Sequence, residues 1–272
     1  MTTKTRNHGT VMITGASSGI GRELALGFAP RSQRLVLVAR RTDRLERLRA
    51  EITAQHPSLQ VLVLGADLAD ERAIEALLRA VAEQAGPVDV LVNNAGLGYS
   101  ALYDRSDWAR TRQLLHTNIL AVAQLTCALV PGMVARGRGG VLNIGSGAGF
   151  AVLASAAGYV GSKHFVDGFS EALHADLAGT GVIVTQVCPG PVDSEFDEAA
   201  GSVGGMIGGP PQFLRIGAAQ CAREALAGFE RGDALVFPGR AFRSVMRMLP
   251  FLPRWLRRIQ AGGVAMRVRK AQ

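Results

Sequence analysis

The chain has 272 residues, a hydrophobic fraction of 48% and a formal net charge of +8 at neutral pH. This length suits one large α/β domain that buries its core without disulfides or metal. The three cysteines (Cys127, Cys188, Cys221) follow no disulfide or zinc pattern, so a reducing cytosol is the expected compartment. We expect no signal peptide, because the start is polar, and no spanning segment, because every long uncharged stretch is interrupted by polar residues, proline or glycine.

The positive charge is confined to one end of the sequence. No acidic residue follows Asp233, whereas nine basic residues do: Arg240, Arg243, Arg247, Arg254, Arg257, Arg258, Arg267, Arg269 and Lys270. The rest of the chain holds 21 basic and 22 acidic residues, so it is close to neutral. Aromatic residues are few in the basic tail and no binding motif occurs there, so we expect no nucleic-acid partner.

In chain order, the first predicted elements are a β-branched strand over residues 10–14, a glycine-rich stretch and a helix over residues 22–29. A strand, a glycine turn and a helix form the context that a dinucleotide-binding loop requires. Gly15 would allow the tight turn, Gly19 the approach of a pyrophosphate and Gly21 close helix packing. The spacing G-x-x-x-G-x-G is not the commoner G-x-G-x-x-G, so a purely structural turn is the alternative.

The second predicted strand, residues 34–39, ends at Arg40 and Arg41. A site that prefers NAD usually carries an acidic residue at this strand end, whereas arginine there accommodates a 2′-phosphate. The sequence therefore favours NADP(H) over NAD(H). A pair of solvated arginines is the alternative.

Strands and helices then continue to alternate. Further strands are predicted at 60–64, 88–92, 141–144, 182–187 and 234–237, and helices at 43–55, 70–84, 107–133, from about 159 to 177, and 218–228. This alternation predicts an α/β fold: a Rossmann-like, doubly wound parallel sheet of about seven strands, with a ligand crevice at the strand carboxyl ends. Asp67, just beyond the third strand, would accept from an adenine amino group or cap the next helix.

A phenol and an ammonium stand four residues apart in the stretch from Gly158 to Lys163. On a helix, Tyr159 and Lys163 would lie on one face, and the cation would favour the phenolate, so Tyr159 is predicted to be a general acid/base. The alternative is a buried tyrosine beside a surface lysine. Asn118 falls in the middle of a predicted helix, where an amide either faces water or has a specific task.

Residues from about 10 to 239 resemble the short-chain dehydrogenase/reductase family, and the arginines resemble its NADP-preferring subgroup. Thr14 to Gly21 resembles the cofactor loop, and Asn93 to Gly96 the Asn-Asn-Ala-Gly motif. The tetrad is matched by Asn118, Ser146, Tyr159 and Lys163. The resemblance implies cofactor contacts from Gly15, Ser17, Ser18, Gly19, Ile20, Gly21, Arg40, Arg41, Asp67, Leu68, Asn94, Ala95, Gly96, Tyr159, Lys163, Pro189, Gly190, Val192 and Ser194. The sequence departs from the family pattern at two positions. Ser194 stands where many members have threonine, and Gly145 stands where serine often precedes the catalytic serine.

The family's chemistry implies hydride transfer between a nicotinamide and a carbonyl carbon. By resemblance, Ser146 polarises the carbonyl, Tyr159 donates the proton and Lys163 holds the nicotinamide ribose. Asn118 would anchor a water that links Lys163 to solvent. With NADPH, reduction is the expected direction. A homodimer or homotetramer is implied as well, through the helices that bear Asn118 and Tyr159.

The residues expected to face the substrate are apolar: Leu97, Tyr99, residues 150–153 and a lid at about 193–216. They favour a hydrophobic ketone, aldehyde or 3-oxoacyl compound.

We expect residues 1–239 to form the domain and 240–272 a basic amphipathic extension. Its apolar positions would pack on the domain or a partner subunit, or lie on an anionic membrane. The alternatives to an enzyme are an NADP(H)-binding regulatory protein and a membrane-associated interaction protein. The expected location is cytoplasmic, with or without peripheral membrane contact.

Overall fold

The computed structural model describes residues 7–193, 195–196 and 211–271. Its strands are β1 (Thr10–Thr14), β2 (Arg34–Ala39), β3 (Gln60–Gly65), β4 (Val90–Asn93), β5 (Gly139–Ile144), β6 (Val182–Val187), β7 (Val192–Asp193), β8 (Ile216–Gly217) and β9 (Leu235–Val236). Seven of them form one parallel sheet in the order β3-β2-β1-β4-β5-β6-β9, and β7 pairs with β8. The predicted doubly wound sheet is confirmed. The strand order reverses between β1 and β4, and the crevice at this reversal is the expected ligand site.

Helices cover both faces of the sheet. They are α1 (Gly19–Phe28), α2 (Thr42–Gln55), α3 (Glu71–Gln84), α4 (Trp108–Leu115), α5 (Ala121–Ala135), α6 (Ala157–Asp176), α7 (Ala218–Arg231), α8 (Arg240–Met248) and α9 (Arg254–Ala271). Successive side chains of a strand point to opposite faces, so Val11 and Ile13 enter the core under α1 and α7. Met12, between them, enters the core under α3 and α5. The helices thus hold the sheet from both sides and leave the strand ends free.

The helix predicted over residues 107–133 is interrupted in the structure. A π-helical turn, His116–Leu120, separates α4 from α5 and contains Asn118. Asp107 caps α4 by accepting from the backbone N–H of Ala109 at 2.7 Å. By length and composition alone, Trp108–Ala135 could cross a membrane. Leu125 and Met133 bury α5 in the core, so we interpret the segment as a helix that flanks the sheet.

The C-terminal extension folds back onto the rest of the chain. Phe242 and Met246 of α8 are buried. In α9, Arg257 donates to the carbonyl oxygen of Phe150 at 3.3 Å, and Arg269 pairs with Asp104 at 2.9 Å. One face of the extension therefore packs on the domain, as one of the two alternatives predicted. The predicted domain boundary at residue 239 stays a prediction, and most of the predicted lid, residues 194 and 197–210, lies outside the described residues.

Candidate active site

The glycine loop and the Asn-Asn-Ala-Gly segment are joined through one buried threonine. Thr14, the last residue of β1, accepts from the backbone N–H groups of Asn94 and Ala95 at 3.0 and 3.1 Å and donates to the carbonyl oxygen of Val92. The Asn94 amide in turn donates to the carbonyl oxygens of Thr14 and Gly15. These bonds fix the two loops that meet where the strand order reverses.

Two glycines of this loop are required by geometry. Gly15 has φ +65°, a left-handed conformation that side chains rarely adopt. At Gly21 an added Cβ would lie 2.3 Å from the Asn94 amide nitrogen and 2.3 Å from the Gly15 carbonyl oxygen. Gly21 does not line the cleft but lies behind the loop. Its role here is close packing, as its position in the motif predicts.

The N-terminus of α1 opens into the cleft without a capping side chain. Ser18, at the N-cap position, makes no side-chain capping hydrogen bond, and the first turn of α1 holds no acidic residue. Uncapped backbone N–H groups at a helix N-terminus are an anion-binding arrangement. Gly19, the first residue of α1, lines the cleft. The residues present therefore fit a dinucleotide pyrophosphate.

A single cleft of about 820 Å³ runs along the carboxyl ends of the strands. The sequence-predicted residues that line it are Gly15, Ser17, Ser18, Gly19, Ile20, Arg40, Arg41, Asp67, Leu68, Asn94, Ala95, Gly96, Ser146, Tyr159, Lys163, Pro189, Gly190 and Val192. Gly21 and Asn118 lie behind its wall, and Ser194 lies outside the described residues. One cleft thus brings together almost the whole predicted site.

Just after β2, Arg41 already forms hydrogen bonds within the cleft. Its guanidinium donates to the hydroxyls of Ser17 and Ser18 at 3.3 and 3.0 Å and to Glu195 at 3.0 Å. Glu195 also accepts from Arg44 at 2.7 Å. The bond with Arg44, and after it the bond with Arg41, lower the pKa of the Glu195 carboxyl. Arg40 is exposed and forms no ion pair with any residue that the structure describes. Sequence reasoning missed Glu195 and Arg44, since only the fold brings them together.

Asp67 lies in the cleft and does not cap the helix that follows it. Its carboxylate accepts from the backbone N–H of Ala69 at 3.0 Å, within the turn after β3. The cap of α3 is Asp70, which accepts from the backbone N–H of Arg72 at 2.9 Å. The capping alternative for Asp67 is therefore wrong, because the helix begins one turn later than that alternative requires.

Tyr159 and Lys163 lie on the inner face of α6, and both are buried. The Lys163 ammonium lies 5.9 Å from the centre of the Tyr159 ring and donates to the carbonyl oxygen of Ile144, at the end of β5, at 3.0 Å. Burial lowers the pKa of Lys163 to about 8. A surface lysine beside a core tyrosine, the alternative reading, is therefore wrong. The cation is held within the site by the strand end.

Asn118 connects the Asn-Asn-Ala-Gly loop to α6. Its carbonyl oxygen accepts from the backbone N–H of Leu97 at 2.8 Å, and its amide donates to the carbonyl oxygen of Leu97 at 2.9 Å and to the Ser162 hydroxyl at 3.0 Å. Ser162 donates in turn to the carbonyl oxygen of Tyr159 at 2.7 Å. These bonds make Asn118 a positioning residue, and the implied relay water stays a prediction. Sequence reasoning missed Ser162, although a buried amide needs such a partner.

Ser146 follows β5 and caps a short 3-10 turn. Its hydroxyl oxygen accepts from the backbone N–H of Ala148 at 3.1 Å, and its proton has no acceptor among the described residues. The backbone N–H of Gly147 donates to the carbonyl oxygen of Pro189 at 2.8 Å. The serine loop is thereby fixed to the segment after β6, with a hydroxyl proton ready for an acceptor in the cleft.

The remaining wall of the cleft is apolar. Leu97, Ala151 and Leu153 line it as expected, and Phe196 lies with its ring 5.9 Å from that of Tyr159. Phe150 and Val152 do not line the cleft, contrary to expectation, and Tyr99 packs against the apolar cluster that contains Tyr159 without lining the cleft. The Tyr99 hydroxyl accepts from the backbone N–H of Asp107, beside the cap of α4, and Phe150 packs on Phe237 at 5.4 Å.

The fold and this site define a dinucleotide-binding oxidoreductase, and the comparisons with known proteins agree. Residues 9–202 match the family model for short chain dehydrogenases. The chain is 34% identical over 252 residues to the human dehydrogenase/reductase SDR family member 7, covering 90% of this chain and 74% of that protein. This chain belongs to the short-chain dehydrogenase/reductase family, and it is an NAD(P)-dependent oxidoreductase.

Solved structures show the same architecture. A short-chain dehydrogenase from Sphingobium yanoikuyae in complex with NADPH superposes with a TM-score of 0.79 at 31% identity, covering 89% of this chain and 92% of that one. A bulky-bulky ketone specific alcohol dehydrogenase from Comamonas testosteroni gives a TM-score of 0.75 at 27% identity, covering 94% and 93%.

Proposed function

We propose that this protein is an NADPH-dependent reductase of apolar ketones, aldehydes or 3-oxoacyl compounds. One observation carries the proposal: Ser146, Tyr159 and Lys163 meet an apolar wall at one end of the cleft whose other end carries Arg40 and Arg41. A catalytic acid, a fixed cation and a cofactor-sized channel therefore share one crevice.

When bound in this cleft, a nicotinamide cofactor would supply the hydride for the carbonyl carbon. The Ser146 hydroxyl donates to the carbonyl oxygen and orients the carbonyl group. As the C=O bond becomes a C–O single bond, the Tyr159 phenol gives its proton to that oxygen, and the product is an alcohol. Lys163, whose ammonium lies 5.9 Å from the centre of the Tyr159 ring, would stabilise the phenolate that remains and bind the nicotinamide ribose. The hydrogen bond between Asn118 and Ser162 fixes the position of α6 relative to the loop after β4.

The preference for NADPH rests on charge at the adenosine end of the cleft. Arg41 is held by Ser17 and Ser18 at the mouth of the glycine loop, and Arg40 has no anionic partner among the residues described. A 2′-phosphate would supply that partner, since arginine binds phosphate through several N–H donors. The similar Sphingobium yanoikuyae enzyme was solved with NADPH, which supports the proposal.

An apolar substrate is supported by the wall that faces Tyr159. Leu97, Leu153 and Phe196 line this part of the cleft. Apolar walls with few polar groups select hydrophobic ligands. The similar Comamonas testosteroni enzyme is described as specific for bulky-bulky ketones, and we extend that preference to this chain as part of the proposal.

The test is NADPH oxidation with a panel of alkyl and aryl ketones, aldehydes and 3-oxoacyl thioesters, repeated with NADH. Tyr159→Phe should lower turnover at least about 100-fold, because it removes the proton donor, while NADPH binding stays unchanged. Tyr103→Phe is the matched control, because Tyr103 is 67% exposed and away from the cleft. Turnover that survives in Tyr159→Phe would refute the mechanism. Tight NADPH binding without turnover of any compound would favour a regulatory NADP(H)-binding protein.

We also propose that the chain assembles as a homodimer or homotetramer through the helices that bear Asn118 and Tyr159. Leu120, in the π-helical turn, is 50% exposed, and Val134 of α5 is 37% exposed. An apolar surface of this kind is typical of a subunit contact. Light scattering on wild type and Leu120→Arg tests it: an oligomer that persists in the variant would argue against this face.

A second candidate role, contact with an anionic membrane, is supported by α9. Trp255, Ile259 and Met266 recur at helical spacing, and each is more than 60% exposed. Around this face, which we call the outer face of α9, the exposed Arg258, Arg267 and Lys270 form no ion pair with the described residues. An apolar helix face bordered by free cations is complementary to an anionic lipid surface.

The two tryptophans of the chain allow a direct test of this contact. In Trp108→Phe, Trp255 is the remaining fluorophore, and its emission should shift to the blue with phosphatidylglycerol vesicles but not with phosphatidylcholine vesicles. In Trp255→Phe, Trp108, which is 66% exposed on α4, should show no shift. Equal responses of both variants, or none with anionic vesicles, would refute membrane contact through α9.

A further inference from the structure

Helix α8 is fixed to the core by a single carboxylate. Glu224 of α7 accepts from the backbone N–H of Gly239 at 3.1 Å and from the Arg243 guanidinium at 2.7 Å. Arg243 also donates to the carbonyl oxygen of Phe237 at 3.0 Å. All of these groups are partly buried, where a charge-assisted bond is stronger than at the surface. The first turn of the basic extension is therefore a fixed part of the fold.

From this anchor, Phe242 inserts between two loops of the active site. An added Cβ at Gly147 would lie 2.4 Å from the Phe242 ring, and one at Gly190 would lie 2.6 Å from it. Gly147 follows Ser146, and Gly190 belongs to the segment for which the family resemblance implies contact with the cofactor. The ring therefore fills the space that side chains at these two glycines would occupy. It supports the serine loop and the Pro189–Gly190 segment, which the hydrogen bond from the Gly147 N–H to the Pro189 carbonyl oxygen joins directly.

One and two turns further along, α8 continues into the cleft. Met246 is 7% exposed and lines the cleft, and Leu249 follows on the same side. They share the cleft with Leu153, Leu214 and Phe196, which come from three other segments. Methionine is long and flexible, so its side chain can adjust to ligands of different bulk.

We infer that α8 is the wall that decides which carbonyl compounds this enzyme accepts: Met246 limits the bulk of the substrate, and Phe242 positions the serine loop. This inference rests on the proposed function, because it takes the apolar end of the cleft as the substrate site. It assigns specificity to residues beyond the matched family model, which ends at residue 202.

The experiment measures binding of a series of phenyl ketones with growing alkyl chains to the complex with NADP+, by titration calorimetry, because NADP+ has no hydride to transfer and the bound ketone is not reduced. Met246→Ala should shift the preferred ketone to a longer chain, with at least a fivefold gain for long over short members. Met246→Trp should shift it to a shorter one. Met248→Ala is the matched control, since Met248 lies on the same helix, is 67% exposed and does not line the cleft. An unchanged order of preference in both Met246 variants would overturn the inference.

Turnover gives a second measurement for Phe242. Phe242→Leu should lower kcat at least tenfold with a smaller change in KM, because the serine loop loses its support while the apolar wall remains. A rise in KM alone would contradict a positioning role. A wild-type enzyme that binds none of the ketones would refute the proposed apolar substrate itself, whereas tyrosine-dependent turnover with no effect of either Met246 variant would refute the inference about α8 alone.

Discussion

The carboxylate of Glu195 lies 3.0 Å from the guanidinium of Arg41, across the mouth of the cofactor cleft. Both side chains are about half exposed. The same carboxylate reaches Arg44 at 2.7 Å, so one acidic residue after β7 engages two cations of the β2 end and α2. A carboxylate in this place engages Arg41, one of the two arginines that we propose for binding a 2′-phosphate.

The first prediction concerns this competition. Glu195→Gln should bind NADPH several times more tightly and leave NADH binding unchanged, because Arg41 is released for the phosphate. Glu46→Gln is the control: it removes the same charge from an ion pair with Arg49 on α2. Dissociation constants from the fluorescence of bound NADPH measure the effect. Equal gains for both coenzymes would show that Glu195 acts on the whole cleft and not on the phosphate.

The second prediction concerns the pH dependence of stability. Burial lowers the pKa of Lys163 from 10.5 to about 8, so the unfolded chain binds a proton that the folded chain lacks between these values. The contribution of Lys163 to the free energy of unfolding therefore rises as pH increases from about 8 to about 10.5. When pH falls, this gain is lost, and it is absent below about 8. Lys163→Met should remove this rise, and at neutral pH the variant should be more stable than wild type.

Urea unfolding of both proteins at several pH values, without cofactor, gives this difference directly. Subtracting the free energy of unfolding of the variant from that of wild type cancels the contributions of the other groups that titrate in the same range. A difference between the two proteins that stays constant from pH 7 to pH 11 would contradict a depressed lysine pKa in the folded enzyme.

The third prediction concerns the buried bonds of Asn118. Ser162→Ala leaves the Asn118 amide with one partner fewer, and leaving such a buried group unpaired costs about 1–3 kcal/mol. Asn118→Ala should cost at least as much, and the double variant should cost less than the sum of both. Denaturant unfolding measures all three. Additive effects would show that the two residues act independently and that the bond between them carries little energy.

The fourth prediction contrasts two glycines. Gly21→Ala should destabilise the fold and weaken coenzyme binding, because the new Cβ would overlap the Asn94 amide and the Gly15 carbonyl oxygen, and overpacking costs about 1–3 kcal/mol. Gly168→Ala, on α6, meets no atom within 4 Å and should stabilise the helix by about 0.5–1 kcal/mol. Thermal unfolding of both variants should move in opposite directions, and a shared direction would contradict this account of the loop.

Where local patterns decide the structure, the sequence was sufficient. Residues 34–39 and 182–187 were predicted with the bounds that the structure shows, because each is an apolar, β-branched run that ends at a change of composition. Tyr159 and Lys163 were expected on one helix face, since that depends only on the helical repeat. The parallel, doubly wound sheet follows from the alternation of strands with long helices, whereas the order of its strands was not predicted.

Where contacts join distant segments, the sequence had no comparable signal. Phe242 meets Gly190 and Gly147 only because α8 returns over the strand ends, and Glu195 meets Arg41 only across the cleft. Tyr99 was expected to face the substrate, yet its side chain does not line the cleft, and its hydroxyl accepts from the backbone N–H of Asp107 at the start of α4. Such errors arise because composition states what a residue can contact but not what the fold brings near it.

The π-helical turn at His116–Leu120 determines the direction in which Asn118 points. It accommodates an extra residue in a helix that is otherwise regular on both sides. Deleting one residue there would restore the α-helical repeat and rotate Asn118 by about 100° about the helix axis, away from Leu97 and Ser162. The angular position of this helix therefore decides whether Asn118 reaches Leu97 and Ser162. Many surface loops tolerate the loss of one residue. Here the same loss would turn the Asn118 side chain away from its hydrogen-bond partners.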